Sequence, residues 1–329
     1  MRKCFCSAAF LLLSVCLFAQ ELFPNNEPAS SVPKGVLGIK VFDETYQEVN
    51  LLRNMFALRL MYGVLPKLSV MATGTVSNHH GTEFPPNLVS HTHSGNQTTY
   101  SSGTFQRGIE YPYQFNGISL YAKYRFLTID QEKKHFRMAL YGQWSDVKVA
   151  HDETEPNLMD DTKGYGGGLI TTYLINHLAI SFTTGFIVPG QYNGLAPDIQ
   201  GGINVGDIPT EVKYGKAFEY HLSFGYLLYP KKYDNYKQTN WNVYLEFMGK
   251  SYEAAVVHQA YTHLVPIQTP LLEAGSYVDV CPGVQAIVNS KLRIDFTTWL
   301  PLINKSYAHF YPVFMIGIQR YFFFHKKTA

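Results

Sequence analysis

The sequence predicts an all-β protein, a transmembrane antiparallel up-and-down β-barrel of about twelve strands. Three observations carry this: an export signal at the N-terminus, an aromatic-rich and charge-poor composition, and strand alternation along the rest of the chain. Arg2 and Lys3 precede an almost unbroken apolar run from Ala8 to Phe18, which stops at Ala19-Gln20. That layout marks residues 1–19 as a secretory signal peptide, because the apolar core is too short for an anchoring helix. Cys16 follows Val15 rather than a small residue, which argues against a lipoprotein. Cys4, Cys6 and Cys16 leave with the signal, so the mature chain keeps Cys281 alone and has no internal disulfide.

The composition points the same way. There are 24 Tyr and 22 Phe, 15% of residues are aromatic, and only 16% are charged; soluble domains usually carry about 25% charged residues. Mean hydropathy is −0.10, and past the signal no apolar stretch reaches the roughly 18 residues of a membrane helix. The net charge of +2, with no basic stripe, excludes a nucleic-acid partner.

Alternation with a period of two then identifies each strand, since successive side chains point to opposite faces. Ile118, Leu120, Ala122, Tyr124 and Phe126 share one face, and Ser119, Tyr121, Lys123 and Arg125 the other. Phe56, Leu58, Leu60 and Tyr62 oppose Met55, Ala57, Arg59 and Met61, while Phe136, Met138, Leu140 and Trp144 oppose Arg137, Tyr141, Gln143 and Ser145. Further on, Phe218–Tyr226, Trp241–Lys250 and Leu292–Leu300 split in the same manner. Weaker segments at Val36–Asp43, Lys67–Val76, Gly164–Leu174, Leu178–Phe186, Ser276–Val288 and Val313–Phe323 complete an even set.

Connection lengths sort almost completely by parity. Gly63–Lys67, Ile129–His135, Ile175–His177, Pro230–Thr239 and Asn289–Lys291 are short, whereas Asn78–Gln114, Val149–Lys163, Gln191–Val212 and Ala254–Gly275 are long. Short periplasmic turns and long outer loops produce this asymmetry. It predicts an N-terminal periplasmic segment over 20–34, a barrel over 35–324 and a periplasmic tail over 325–329. The closing Tyr321-Phe322-Phe323-Phe324 is the aromatic end that outer-membrane barrels present to their assembly machinery. The expected partners are therefore that machinery, outer-membrane lipid and a small-molecule solute.

Tyr62-Gly63-Val64-Leu65-Pro66-Lys67-Leu68-Ser69-Val70 resembles a hairpin of the outer-membrane channel family named for the meta-pathway of phenol degradation. Pro282-Gly283-Val284-Gln285, the turn Asn289-Ser290-Lys291, Leu292-Arg293-Ile294-Asp295 and Ile316-Gly317-Ile318 resemble the last three strands of such barrels. The likeness covers about half the chain. It implies a passive channel or transporter for small, apolar or aromatic molecules, and it brings no catalytic residues and no cofactor. The Phe18-Ala19-Gln20 context resembles exported proteins of Bacteroidetes.

Two constellations are candidates for chemistry. Arg59, Lys123, Arg125, Arg137, Glu219, Glu246, Lys250, Asp279, Arg293 and Asp295 must face the lumen or the rims, because charge on the lipid face is costly. They either line a polar pore or pair across the interior and plug it. A barrel of this size is narrow enough for side chains to fill much of the lumen. The second reading makes the protein a plugged structural or adhesive barrel whose outer loops bind a partner or a metal. His79, His80, His91 and His93 in the longest outer loop are the candidate metal ligands, since neutral imidazole suits zinc, copper or nickel. The bland alternative is a polar surface loop. No Gly-x-Ser-x-Gly elbow and no matched Ser/His pair accompany them, so an enzyme is not expected.

Overall fold

A strand that alternates apolar and polar residues has two unlike faces, and closing such strands into a cylinder turns one face to lipid and the other inward. The computed structural model describes residues 23–48, 51–78, 99–100, 103–104, 111–147, 163–200, 203–231, 237–260, 263–265, 272–306 and 312–324. The expected signal peptide (1–19), the tail 325–329 and His79, His80, His91 and His93 lie outside the described residues.

In chain order the strands are β1 (Val36–Glu48), β2 (Leu51–Leu65), β3 (Leu68–Ser77), β4 (Thr99–Tyr100), β5 (Gly103–Thr104), β6 (Gln114–Asp130), β7 (Lys134–Val147), β8 (Gly164–Ile175), β9 (Leu178–Pro189), β10 (Gln191–Gln200), β11 (Ile203–Lys213), β12 (Ala217–Tyr229), β13 (Asn240–Tyr252), β14 (Val256–Gln259), β15 (His263–Val265), β16 (Gly275–Val288), β17 (Leu292–Lys305) and β18 (Val313–Phe323). Twelve of them close into an antiparallel barrel in the order β1-β18-β17-β16-β13-β12-β9-β8-β7-β6-β3-β2. The seam is continuous, from Val36 opposite Phe323 to Thr45 opposite Phe314. Closure leaves the barrel wall without an unpaired edge.

The two faces fall where alternation places them. Leu58, Leu60, Leu120, Tyr124, Leu140, Trp144, Leu245, Phe296 and Ile318 are exposed on the outer face, while Ala57, Met61, Lys123, Ala139, Tyr141, Glu246, Asp295 and Gln319 are buried on the inner one. The long connections lie at one end, although the β1–β2 connection at that end is short, and most turns at the other end are short. We call these the loop end and the turn end.

Two expectations fail. The first is Gln191–Val212 and Ala254–Gly275, read as loops. Here β10, β11, β14 and β15 form a separate four-stranded sheet at the loop end, held by a cluster of Tyr192, Val212, Tyr214, Ala255, Val257 and Leu272. The β10–β11 hairpin carries its pairing past a register shift between Pro197 and Ile199, so its strand period is broken in the sequence. The second is the segment 20–34, read as an N-terminal periplasmic segment separate from the barrel at 35–324. Its described part, residues 23–34, runs inside the wall: Phe23 and Ala29 are 0% exposed and Asn26 is 4% exposed. Pro24, Pro28 and Pro33 keep it out of the ladder, and its polar groups find partners on the inner face in place of water.

Candidate functional site

The segment enters at the turn end beside β2. Gly35 donates its N–H to the Gly63 carbonyl at 2.8 Å, and Lys34 bridges Gly63 in parallel fashion. From there it climbs into the lumen, and its polar groups meet several strands of the wall. Ser31 Oγ donates to the Lys67 carbonyl at 3.3 Å, and Arg137 Nη1 on β7 donates to Ser30 Oγ at 2.9 Å. The Ala29 N–H donates to Thr172 Oγ1 on β8 at 2.8 Å. Lys123 on β6 donates to the Pro28 carbonyl.

Glu27 is the acidic centre of this plug. Its carboxylate lies 3.0 Å from Lys123 Nζ and 3.7 Å from Arg59 Nη1. Lys123 is 2% exposed, so a buried cation here depends on its partner. On the opposite wall Glu246, 0% exposed, accepts from Asn25 N at 3.1 Å, Asn25 Nδ2 at 3.0 Å, Asn26 N at 3.1 Å and Ser223 Oγ at 2.9 Å. Thr183 Oγ1 donates to Asn26 Oδ1 at 3.0 Å, and Trp299 Nε1 donates to Asn25 Oδ1 at 3.2 Å. Lys40 closes the circuit by donating to the Pro24 carbonyl at 3.1 Å. Phe23 then packs edge-on against Tyr244, with ring centroids 5.9 Å apart.

The ten charged residues singled out in the sequence are thus sorted by what they touch. Arg59, Lys123, Arg137 and Glu246 hold the plug. Arg125 donates to the Pro66 carbonyl at 3.1 Å, at the turn-end rim. Glu219 and Lys250 are cross-strand neighbours on β12 and β13. Asp295 accepts from Gln285 Nε2 at 2.6 Å and lies 3.7 Å from Lys40. Asp279 and Arg293 are each 1% exposed on the inner wall. The sequence reading missed Lys40, although a single cation between Ile39 and Val41 obeys the same rule that placed Lys123. It also missed the plug itself. His258 on β14 lies 3.9 Å from Glu211. No cluster of three or more metal-ligating side chains occurs among the described residues.

Tyr141 packs against Ala29 of the plug and also braces the wall. It stands in register with Gly168, which pairs with Gly185, which pairs with Glu219. The ring lies over Gly185, where a Cβ would collide with the Tyr141 hydroxyl, and that hydroxyl donates to Glu219. Tyr121 stacks on it at 5.3 Å and 14°. Tyr141→Phe leaves a buried carboxylate short of a donor. A hydrogen bond to a charged group contributes about 1.5–3 kcal/mol, so the variant barrel should unfold at a lower urea midpoint, with the plug contacts of Glu246 unchanged.

No family model matches the chain, and no curated protein matches its sequence. Among solved structures, an outer-membrane channel from Pseudomonas putida F1 aligns with a TM-score of 0.51 at 11% identity, covering 92% of this chain and 100% of its own. The fold is that of an outer-membrane β-barrel. The P. putida toluene transporter TodX aligns with a TM-score of 0.35 at 11% identity, covering 87% of each chain. OprD from Pseudomonas aeruginosa aligns at 0.36 and 8% identity, covering 92% of this chain and 98% of its own. At these identities the likeness is one of fold alone.

Proposed function

We propose that this protein is an outer-membrane channel for small solutes, held shut by its own residues 23–33. One observation carries the reading: the lumen is filled by a segment outside the β-ladder, held to the wall through hydrogen bonds and ion pairs. Water or solute can replace such contacts one for one, whereas a continuous apolar core would have to be torn open. Toward the loop end the inner face turns apolar and aromatic, with Ile187, Ala217, Tyr252 and Tyr277 in one cluster and Phe42, Met55, Ala57 and Met315 in another. That lining supports an apolar or aromatic solute, as the resemblance to the meta-pathway family implies. In this reading the signal peptide is cleaved, the assembly machinery inserts the barrel with both termini in the periplasm, and the long connections face outward.

A second reading, a permanently plugged structural barrel, draws support from the buried ion pairs between Glu27 and Lys123 and between Lys40 and Asp295. Planar-bilayer recording separates the two. The wild-type chain should conduct weakly, and a chain lacking residues 23–32 should conduct at least about tenfold more and admit small solutes to liposomes. A plug-less barrel that folds and stays electrically silent rejects the channel.

A further inference from the structure

We propose that the seat of the plug is a binding site for short acidic peptides, and that residues 23–31 occupy it as a tethered ligand. The proposal rests on the channel reading only in requiring that the segment leave the lumen.

The wall reads the plug partly through its backbone, which any extended peptide shares, and partly through the side chains of Asn25, Asn26 and Glu27. Glu246 takes two consecutive backbone N–H groups, those of Asn25 and Asn26, each at 3.1 Å. Thr172 takes the N–H of Ala29 at 2.8 Å. Lys40 and Lys123 donate to the carbonyls of Pro24 and Pro28. Main-chain recognition of this kind gives affinity with little dependence on side-chain identity. One side chain is read by charge: the Glu27 carboxylate sits between Lys123 and Arg59. Hydrogen bonds in which an ionised carboxylate meets a cation are the strong ones. Apolar contacts mark the ends, Phe23 against Ala179 and Tyr244, and Ala29 against Ala139, Tyr141 and Ile170.

The seat is also pre-organised by contacts that do not involve the plug. Ser223 Oγ orients Glu246 at 2.9 Å, and Arg59 Nε donates to Thr73 Oγ1 at 3.2 Å. A wall held in place before binding loses less entropy when a ligand arrives. The tether presents the segment at an effective concentration on the order of millimolar, so a free peptide competes only once the segment is weakened.

The test uses the full-length chain refolded in detergent micelles, with folding checked by heat-modifiable gel mobility. Glu27→Arg sets a cation against Arg59 and Lys123 and drives the segment out. Gly63→Val does so by a clash at the rim, with every seat residue intact. The probe is the synthetic peptide Phe-Pro-Asn-Asn-Glu-Pro-Ala-Ser-Ser at millimolar concentration, followed by saturation-transfer NMR. It should bind both variants, bind the wild-type chain at least about tenfold more weakly because the seat is filled, and lose about tenfold in affinity when its Glu becomes Gln. Adding Lys123→Met to Gly63→Val should abolish the difference between the Glu and Gln peptides. Absence of binding to both released variants, or equal binding of the two peptides to them, overturns the proposal. Because the readout is binding, a silent barrel that takes the peptide fails only the channel reading, and a conducting barrel that ignores the peptide fails only this one.

Discussion

Glu246→Ala should open the lumen. Glu246 is fully buried and accepts from the backbone of both Asn25 and Asn26 as well as from the Asn25 side chain. Alanine leaves the two backbone N–H groups buried without an acceptor, which costs about 1–3 kcal/mol each. The closed state is thereby weakened by roughly 2–6 kcal/mol, and since about 1.4 kcal/mol is a factor of ten, the open fraction rises at least about thirtyfold. The barrel itself should survive, because removing a buried carboxylate also removes its desolvation penalty. Single-channel recording should show frequent openings while gel mobility still reports a folded barrel. Glu246→Gln retains one acceptor oxygen and should fall between wild type and alanine. If Glu246→Ala folds and its open fraction equals that of wild type, Glu246 is not a latch.

The barrel was legible because a strand states its two faces locally. In β6, Lys123 and Arg125 fall on the face opposite Leu120 and Tyr124, and no long-range information is needed to see it. Inside and outside were legible for the same reason, as lipid tolerates few charges. The plug was not legible. Pro24, Pro28 and Pro33 make 23–33 read as a linker, and its contacts span great sequence distances: Asn26 N meets Glu246 across 220 residues, and Glu27 meets Lys123 across 96. No local period encodes such pairing. The ten inward charges were found as a set, yet sequence left open whether they line a pore or pair across the interior. The structure divides them, with Arg59, Lys123, Arg137 and Glu246 on the plug and Glu219 and Asp295 on other wall residues. The sheet of β10, β11, β14 and β15 escaped because Gly194, Pro197 and Gly206 punctuate its strands as they would a loop.

Gly63→Val should release the segment from the other end, by sterics alone. A Cβ at Gly63 would stand 2.0 Å from the Pro33 carbonyl oxygen and 2.5 Å from the Val32 carbonyl oxygen. Both obstacles are backbone, so no rotamer change relieves the clash, and the strap must leave the rim. Its departure breaks the bond from Gly35 N to the Gly63 carbonyl and draws the residues above it away from Thr172 and Glu246. Conductance should approach that of the chain lacking residues 23–32. Glu246→Ala and Gly63→Val act through one segment, so their effects should saturate rather than multiply, which is the signature of coupled sites. In the chain lacking 23–32, Gly63→Val has nothing to strike and should leave conductance unchanged. A further increase there would mean that the substitution perturbs the β2–β3 wall itself and that the strap does not hold the lumen closed.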